Sequence, residues 1–123
     1  MRAALVNRAG EVLDRSACLT LPENGLADAT ERLLGLIDSA IGDHGKKKIA
    51  GIGISAAGPI NPNTGAYSHP PNLPGWHEQS MLPRLQDASG LDVTIGHDAH
   101  VAAIAESNWG AAQGAGDVVY VTV

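Results

Sequence analysis

The stretch Val93–Glu106, VTIGHDAHVAAIAE, constrains the fold more than any other part of the chain. A β-branched run ends at Gly96, the polar pair His97-Asp98 follows, and an Ala-rich apolar run begins at once. A period-two segment passing directly into a helical one predicts a strand that feeds a helix. Asp98 then stands between the carboxyl end of a strand and the N-terminus of a helix. Two readings of that carboxylate stay open. Asp is a favoured helix N-cap, because its oxygen accepts an unpaired amide of the first turn. Open α/β sheets also bind ligands at the carboxyl ends of their strands, which makes an acid there a candidate for chemistry.

The rest of the chain extends the pattern. Met1–Val6 and Glu11–Leu21 predict two strands joined by a turn over Asn7–Gly10. Leu26–Ile41 predicts a helix whose apolar face is Leu26, Ala29, Leu33, Leu36, Ile37 and Ala40, with Asn24 as N-cap and Gly42 or Gly45 as its stop. Ile49–Ser55 lacks polar alternation and predicts a strand buried on both faces, with Gly51 and Gly53 allowing close approach. Ser80–Ala88 predicts a short helix capped by Ser80 and ended by Gly90, and Asp92–Ile95 a strand. A helix from Ala99 to about residue 112 presents Val101, Ile104, Ala105, Trp109 and Ala112 on one narrow face. Val118–Val123, VVYVTV, predicts a final buried strand. The order predicts an α/β fold with a mixed sheet, a hairpin beside parallel strands, and helices on both faces.

Ala56–Trp76 is the one long irregular segment, and five of the seven prolines fall in it, at positions 59, 62, 70, 71 and 74. Loops of this length in compact domains carry function or are disordered. Proline stiffening and the apolar anchors Tyr67, Leu73 and Trp76 predict an ordered one, with a turn at Asn63-Thr64-Gly65. At 123 residues the chain is one domain or one lobe of something larger. It has no Phe, so the core is aliphatic. A formal charge of −5 argues against nucleic acid as a partner, and Lys46-Lys47-Lys48, the one basic cluster, reads as a solvated loop. Cys18 is the single cysteine, which excludes an intrachain disulfide and a cysteine-based zinc site within the chain. Neither a signal peptide nor a membrane-spanning apolar run is present in the sequence, so the expectation is a cytoplasmic protein without a membrane partner.

Three strings, GIGISAAGPI, PPNLPGW and GHDAHVAAIAESNWGAAQG followed by VVYVTV, resemble the ROK family of sugar kinases and related repressors. The resemblance covers nearly the whole chain. It implies that residues 1–123 form the N-terminal, sugar-binding lobe of a glucokinase-like enzyme with a ribonuclease-H-like (actin and hexokinase-like) fold. The implied reaction moves a phosphoryl group from ATP, with Mg, to a hexose hydroxyl. Asp98 matches the catalytic aspartate, a general base toward that hydroxyl. Gly58, Asn72 and His97 match substrate-side positions. Gly58 would let backbone approach the sugar, the alternative being a turn that needs positive φ. Asn72 would bind vicinal hydroxyls, the alternative being a turn-stabilising Asn. Trp76 reads as a core anchor or as a sugar-stacking ring; His69, His77 and His100 read as surface or locally hydrogen-bonded.

The sequence departs from the family pattern at His97, where Asn is common. The family's Asp-x-Gly-Gly-Thr strand, its Gly-Thr-Gly-x-Gly stretch, its Glu-His sugar ligands and its His/Cys zinc motif are not among these residues. The expectation is therefore a truncated or isolated lobe, or one completed by another chain. It is inactive by itself, binds ATP poorly, and has a sheet short of a pairing partner that could drive homodimerisation. The alternative function is a non-catalytic sugar-binding or repressor-effector module.

Overall fold

The computed structural model describes residues 1–122. Strands β1 (Arg2–Val6) and β2 (Val12–Ala17) pair antiparallel, with an irregularity in register between Leu5 and Val6. Asn7 makes the intervening turn: its side-chain oxygen accepts the amides of Ala9 and Glu11 at 2.9 and 3.0 Å. Gly10 closes it at φ 83°, a conformation that L side chains rarely adopt.

Helix α1 (Gly25–Ile41) ends at Gly42 as expected. Its predicted cap differs. Asn24 stands at the cap position but its side chain bonds no amide, because the preceding 3-10 turn Pro22–Asn24 holds it in helical backbone rather than the extended form a cap requires. Strands β3 (Ile52–Ala56) and β4 (Val93–His97) pair in parallel, from Ile52 opposite Val93 to Ala56 opposite His97. Helix α2 (Leu82–Ser89) precedes β4, and helix α3 (Asp98–Trp109) follows it without a loop.

Several expectations about the sheet and its burial are corrected. Among the described residues the strands form two separate two-stranded sheets, β1–β2 and β3–β4, not one mixed sheet. Consequently β3 is not buried on both faces: Ile52 and Ile54 are half-buried, while Gly53 and Ser55 face solvent. Gly51 does allow close approach, since a Cβ there would stand 3.1 Å from the Asp92 carbonyl, but Gly53 opens on empty space. The narrow face of α3 is not laid on the sheet. Val101 packs over Gly96, yet Ile104 and Trp109 are each 60% exposed, and the Trp109 ring lies beside the turn at Gly10. Finally, residues 118–122 form no strand and are exposed, Val119 at 88% and Val121 at 77%; Val123 lies outside the described residues. A strand without a hydrogen-bonded neighbour is not stable in water.

The core lies where α1, α2, the β3–β4 sheet and the long loop meet. Leu26 and Ala29 of α1, Leu82 and Leu85 of α2, and Val93 and Ile95 of β4 close around Tyr67 and Trp76, each only 2% exposed. The two rings meet edge to face, centroids 5.3 Å apart at 79°, a favoured aromatic geometry. The Trp76 indole N–H donates to the Pro22 carbonyl at 3.2 Å. The loop is thus ordered as its prolines predicted, and Ile60 and Tyr67 bridge antiparallel on either side of the turn at residues 62–64. Arg84 of α2 clasps Glu31 of α1 through two bonds of 2.6 and 3.1 Å, which lowers the Glu31 pKa; both side chains are more than half exposed, so the pair adds little to stability. Among the described residues, no helix is long and apolar enough to cross a membrane.

Trp76→Ala is expected to cost about 3–5 kcal/mol, the usual range for deleting a large buried aromatic, read from urea unfolding. Burial pushes the Tyr67 phenol up from 10.0 to about 12. Below pH 10 folded and unfolded chains both keep that proton, and its contribution to stability is complete. Between pH 10 and 12 only the unfolded chain releases it, so stability falls as pH rises, by roughly 2–3 kcal/mol. Tyr67→Phe should flatten that part of the stability–pH curve.

Candidate functional site

The site begins at the carboxyl end of β4. His97 closes the strand in extended backbone, φ −62° and ψ 135°, and occupies the N-cap position of α3; Asp98 is the first helical residue. The cap expected of Asp98 is therefore shared. The Ala99 amide points at both side chains, 2.7 Å from Asp98 Oδ1 and 3.3 Å from His97 Nδ1. The carboxylate is the nearer acceptor. His97 Nδ1 also lies 3.2 Å from Asp98 Oδ1. A protonated Nδ1 can donate to the carboxylate, and a bare one can only accept from Ala99. In both arrangements Oδ1 is engaged with the start of the helix. Oδ2 takes no hydrogen bond from the described residues, and the Asp98 side chain is 56% exposed.

Gly58, in the bend that follows β3, lies against the other side of the imidazole. A Cβ at Gly58 would collide with Cδ2 of His97 and come within 3.0 Å of Nε2. Gly58 is not among the residues with positive φ. Glycine is needed here for space, not for turn conformation. Parallel register explains the meeting: Ala56 and His97 are the last paired residues of β3 and β4, so the segments beyond them emerge together.

Asn72 is the fourth predicted position. It sits exposed in the turn after Pro71 and forms no hydrogen bond to His97 or Asp98. The turn is fastened from within, by the Leu73 amide to Pro70 and the Trp76 amide to Leu73, both at 3.3 Å. Trp76 is buried in the core, which settles its role as the anchor of this loop. His77 Nδ1 accepts the His69 amide at 3.2 Å, a local hydrogen bond of the kind expected, and the two rings stack with centroids 3.6 Å apart, a pairing the sequence reading did not foresee. His100 is a neighbour that the sequence reading missed. Its ring centre is 5.5 Å from that of His97. The spacing of three residues at a helix start was the available signal.

Among the described residues, no group of three or more His, Cys, Asp or Glu side chains comes together in a way that could hold a metal ion. Nor do Gly58, Asn72, His97 and Asp98 line the large cleft of the molecule. That cleft, 1170 Å³, lies between β1 and β3. Gly58, His97 and Asp98 instead meet at the carboxyl ends of β3 and β4, and no contact joins Asn72 to them among the described residues.

Comparison with known proteins agrees with this architecture. A glucokinase of Halalkalibacterium halodurans is 30% identical over 125 residues, covering 100% of this chain and 38% of the relative. A glucokinase of Thermotoga maritima is 29% identical, covering 97% of this chain and 37% of the relative. Among solved structures, a ROK family glucokinase from Streptomyces griseus in complex with glucose and AMPPNP superposes with a TM-score of 0.81 at 25% identity, over 92% of this chain and 34% of that one. A ROK hexokinase from Thermus thermophilus gives 0.79 at 28% identity, over 92% and 36%. The chain thus spans little more than a third of the length of these relatives. The ROK family model matches residues 1–123, and the chain belongs to the ROK family.

Proposed function

We propose that residues 1–123 are the sugar-side wall of a glucokinase-like hexose kinase, the N-terminal lobe of a ribonuclease-H-like fold. The reading rests on one observation. Asp98 stands at the carboxyl end of β4 with one oxygen committed to the helix and the other open, beside a histidine that is packed on a glycine. The sequence kinship with glucokinases supports the substrate class.

In this reading a hexose hydroxyl donates to Oδ2 of Asp98. The carboxylate orients it and takes its proton as the hydroxyl oxygen attacks the phosphoryl donor. Oδ1, held by the Ala99 amide, keeps the carboxyl group from rotating away. His97, wedged between Gly58 and Asp98, presents Nε2 as a donor to a neighbouring hydroxyl when that nitrogen carries its proton. Asn72 supplies a further amide from the loop rim. ATP with Mg is the donor implied by the family. The residues described here supply no ligand set for Mg, as only Asp98 stands at the wall without a carboxylate partner, and no step is routed through the nucleotide.

Three outcomes test the proposal. The 123-residue chain by itself should show no ATP-dependent turnover of glucose in a coupled assay. In a longer protein carrying this lobe, Asp98→Asn should lower kcat by about 10²–10⁴ with little change in the KM for glucose, in line with the loss of a general base; unchanged turnover would remove the assignment. Gly58→Ala should push the His97 ring aside and weaken glucose binding in calorimetry while leaving the unfolding midpoint within the cost of a small overpacking, about 1–3 kcal/mol. Equal glucose affinity in wild type and variant would separate His97 and Gly58 from the sugar.

A further inference from the structure

The proline-rich loop is pinned at its base by two histidines. His69 enters the PPNLPGW turn and His77 leaves it, and their rings stack with centroids 3.6 Å apart. His77 Nδ1 accepts the His69 amide at 3.2 Å. His69 has φ 49° and Glu78 φ 58°, in the left-handed region that non-glycine residues hold only where surrounding contacts fix them. Below the pair the two legs are laced through backbone: the Tyr67 amide to Gln79 at 3.1 Å, the Glu78 amide to Tyr67 at 2.8 Å, and the Ser68 amide to Pro59 at 2.8 Å. Above it the turn is tied by Leu73 to Pro70 and by Trp76 to Leu73. Trp76 fixes the outgoing leg in the core, and the bond from His69 to His77 fastens the incoming leg to it. Every group in this pin lies between residues 59 and 79, within one loop.

The bond dictates a protonation state. An imidazole nitrogen accepts an amide only while it carries no proton. A proton on Nδ1 turns a donor toward a donor, and places charge on a ring stacked against a second imidazole. Among the described residues, Glu78 is the one other ionisable side chain in hydrogen-bond, ion-pair or ring contact with either histidine, its Oε1 3.6 Å from His77 Nε2. That carboxylate favours the charged ring. Its side chain is 84% exposed, so solvent screens the attraction. Tyr67 bridges His77 through backbone, but its ring turns into the core against Trp76 and keeps its proton. Loss of the acceptor therefore decides the sign: the pin holds when His77 is neutral and loosens in acid.

We infer that His77 is a positioning residue: its bare Nδ1 and stacked ring hold His69 in left-handed backbone, fix the turn that carries Asn72, and release that turn on protonation. The pin itself does not depend on the sugar reading of the site. Its consequence for glucose rests on the role proposed above for Asn72. In that reading, loss of the acceptor weakens sugar binding and leaves the chemistry at Asp98 alone.

The test combines amide NMR of the 123-residue chain with glucose kinetics of a longer protein carrying this lobe. Wild type, His77→Phe and His77→Asn are compared at about pH 8 and about pH 5, the span over which imidazoles take up a proton. Phe keeps a stacking ring without an acceptor, and Asn keeps an acceptor near the place of Nδ1 without titrating. His77 is exposed and outside the core, so both variants should keep the wild-type unfolding midpoint, and the wild-type comparison needs no variant. Heteronuclear NOEs at His69, Asn72 and Leu73 should show an ordered turn in wild type at the higher pH. They should show a looser one in wild type at the lower pH and in His77→Phe at both, and an ordered one in His77→Asn at both. At the higher pH, His77→Phe should raise the KM for glucose about two- to tenfold, the span of one net hydrogen bond, with kcat unchanged, and His77→Asn should restore it. An equally ordered turn in all three proteins overturns the inference. So does a wild-type turn unmoved by acid, or a His77→Asn turn as loose as that of His77→Phe. A loosened turn with an unchanged KM supports the pin and removes Asn72 from the sugar site.

Discussion

The indole of Trp76 is the contact on which the remaining structure depends. Its ring lies edge-on to Tyr67, and its N–H reaches back to the carbonyl of Pro22, at the turn before α1. One residue thus joins the long loop, the start of α1 and the aromatic centre of the core. Without Phe in the chain, the two buried rings supply bulk that the aliphatic residues around them lack. Burial of large aromatics dominates core energetics, and here it does so for a segment that has almost no ladder hydrogen bonds of its own.

Order in that loop matters because the loop returns the chain from β3 to α2 past the carboxyl end of the parallel pair. Gly58 leaves β3 where His97 leaves β4, and the in-register pairing of Ala56 with His97 brings them together. The site is consequently a property of two strand ends. Asp98 takes its position from the direct passage of strand into helix, His97 from the glycine behind it. The carboxylate is cap and candidate base at once, since a carboxyl group has two oxygens and the helix uses one.

A second consequence of the topology is the divided sheet. Backbone amides and carbonyls need partners wherever water is excluded, and among the described residues β1 pairs only with β2 and β3 only with β4.

Much of this was legible in the residues. The hairpin turn at Asn7–Gly10, α1 with its stop at Gly42, the short α2 ending at Gly90, the parallel pair, and the placement of Asp98 at a strand–helix junction all follow from periodicity and local turn chemistry, which act over a few residues. The role of Asn24 was misread because a preceding 3-10 turn, not its own preference, set its backbone. Burial was the quantity that sequence could not supply. VVYVTV and the stripe Val101, Ile104, Trp109 state a capacity to be covered, whereas exposure depends on whether a partner surface is present. Likewise the requirement for glycine at position 58 arises from a ring 39 residues away in sequence. Local pattern determined which elements form; long-range packing alone decided which faces meet, because the free energy of burial belongs to pairs of surfaces and not to either one.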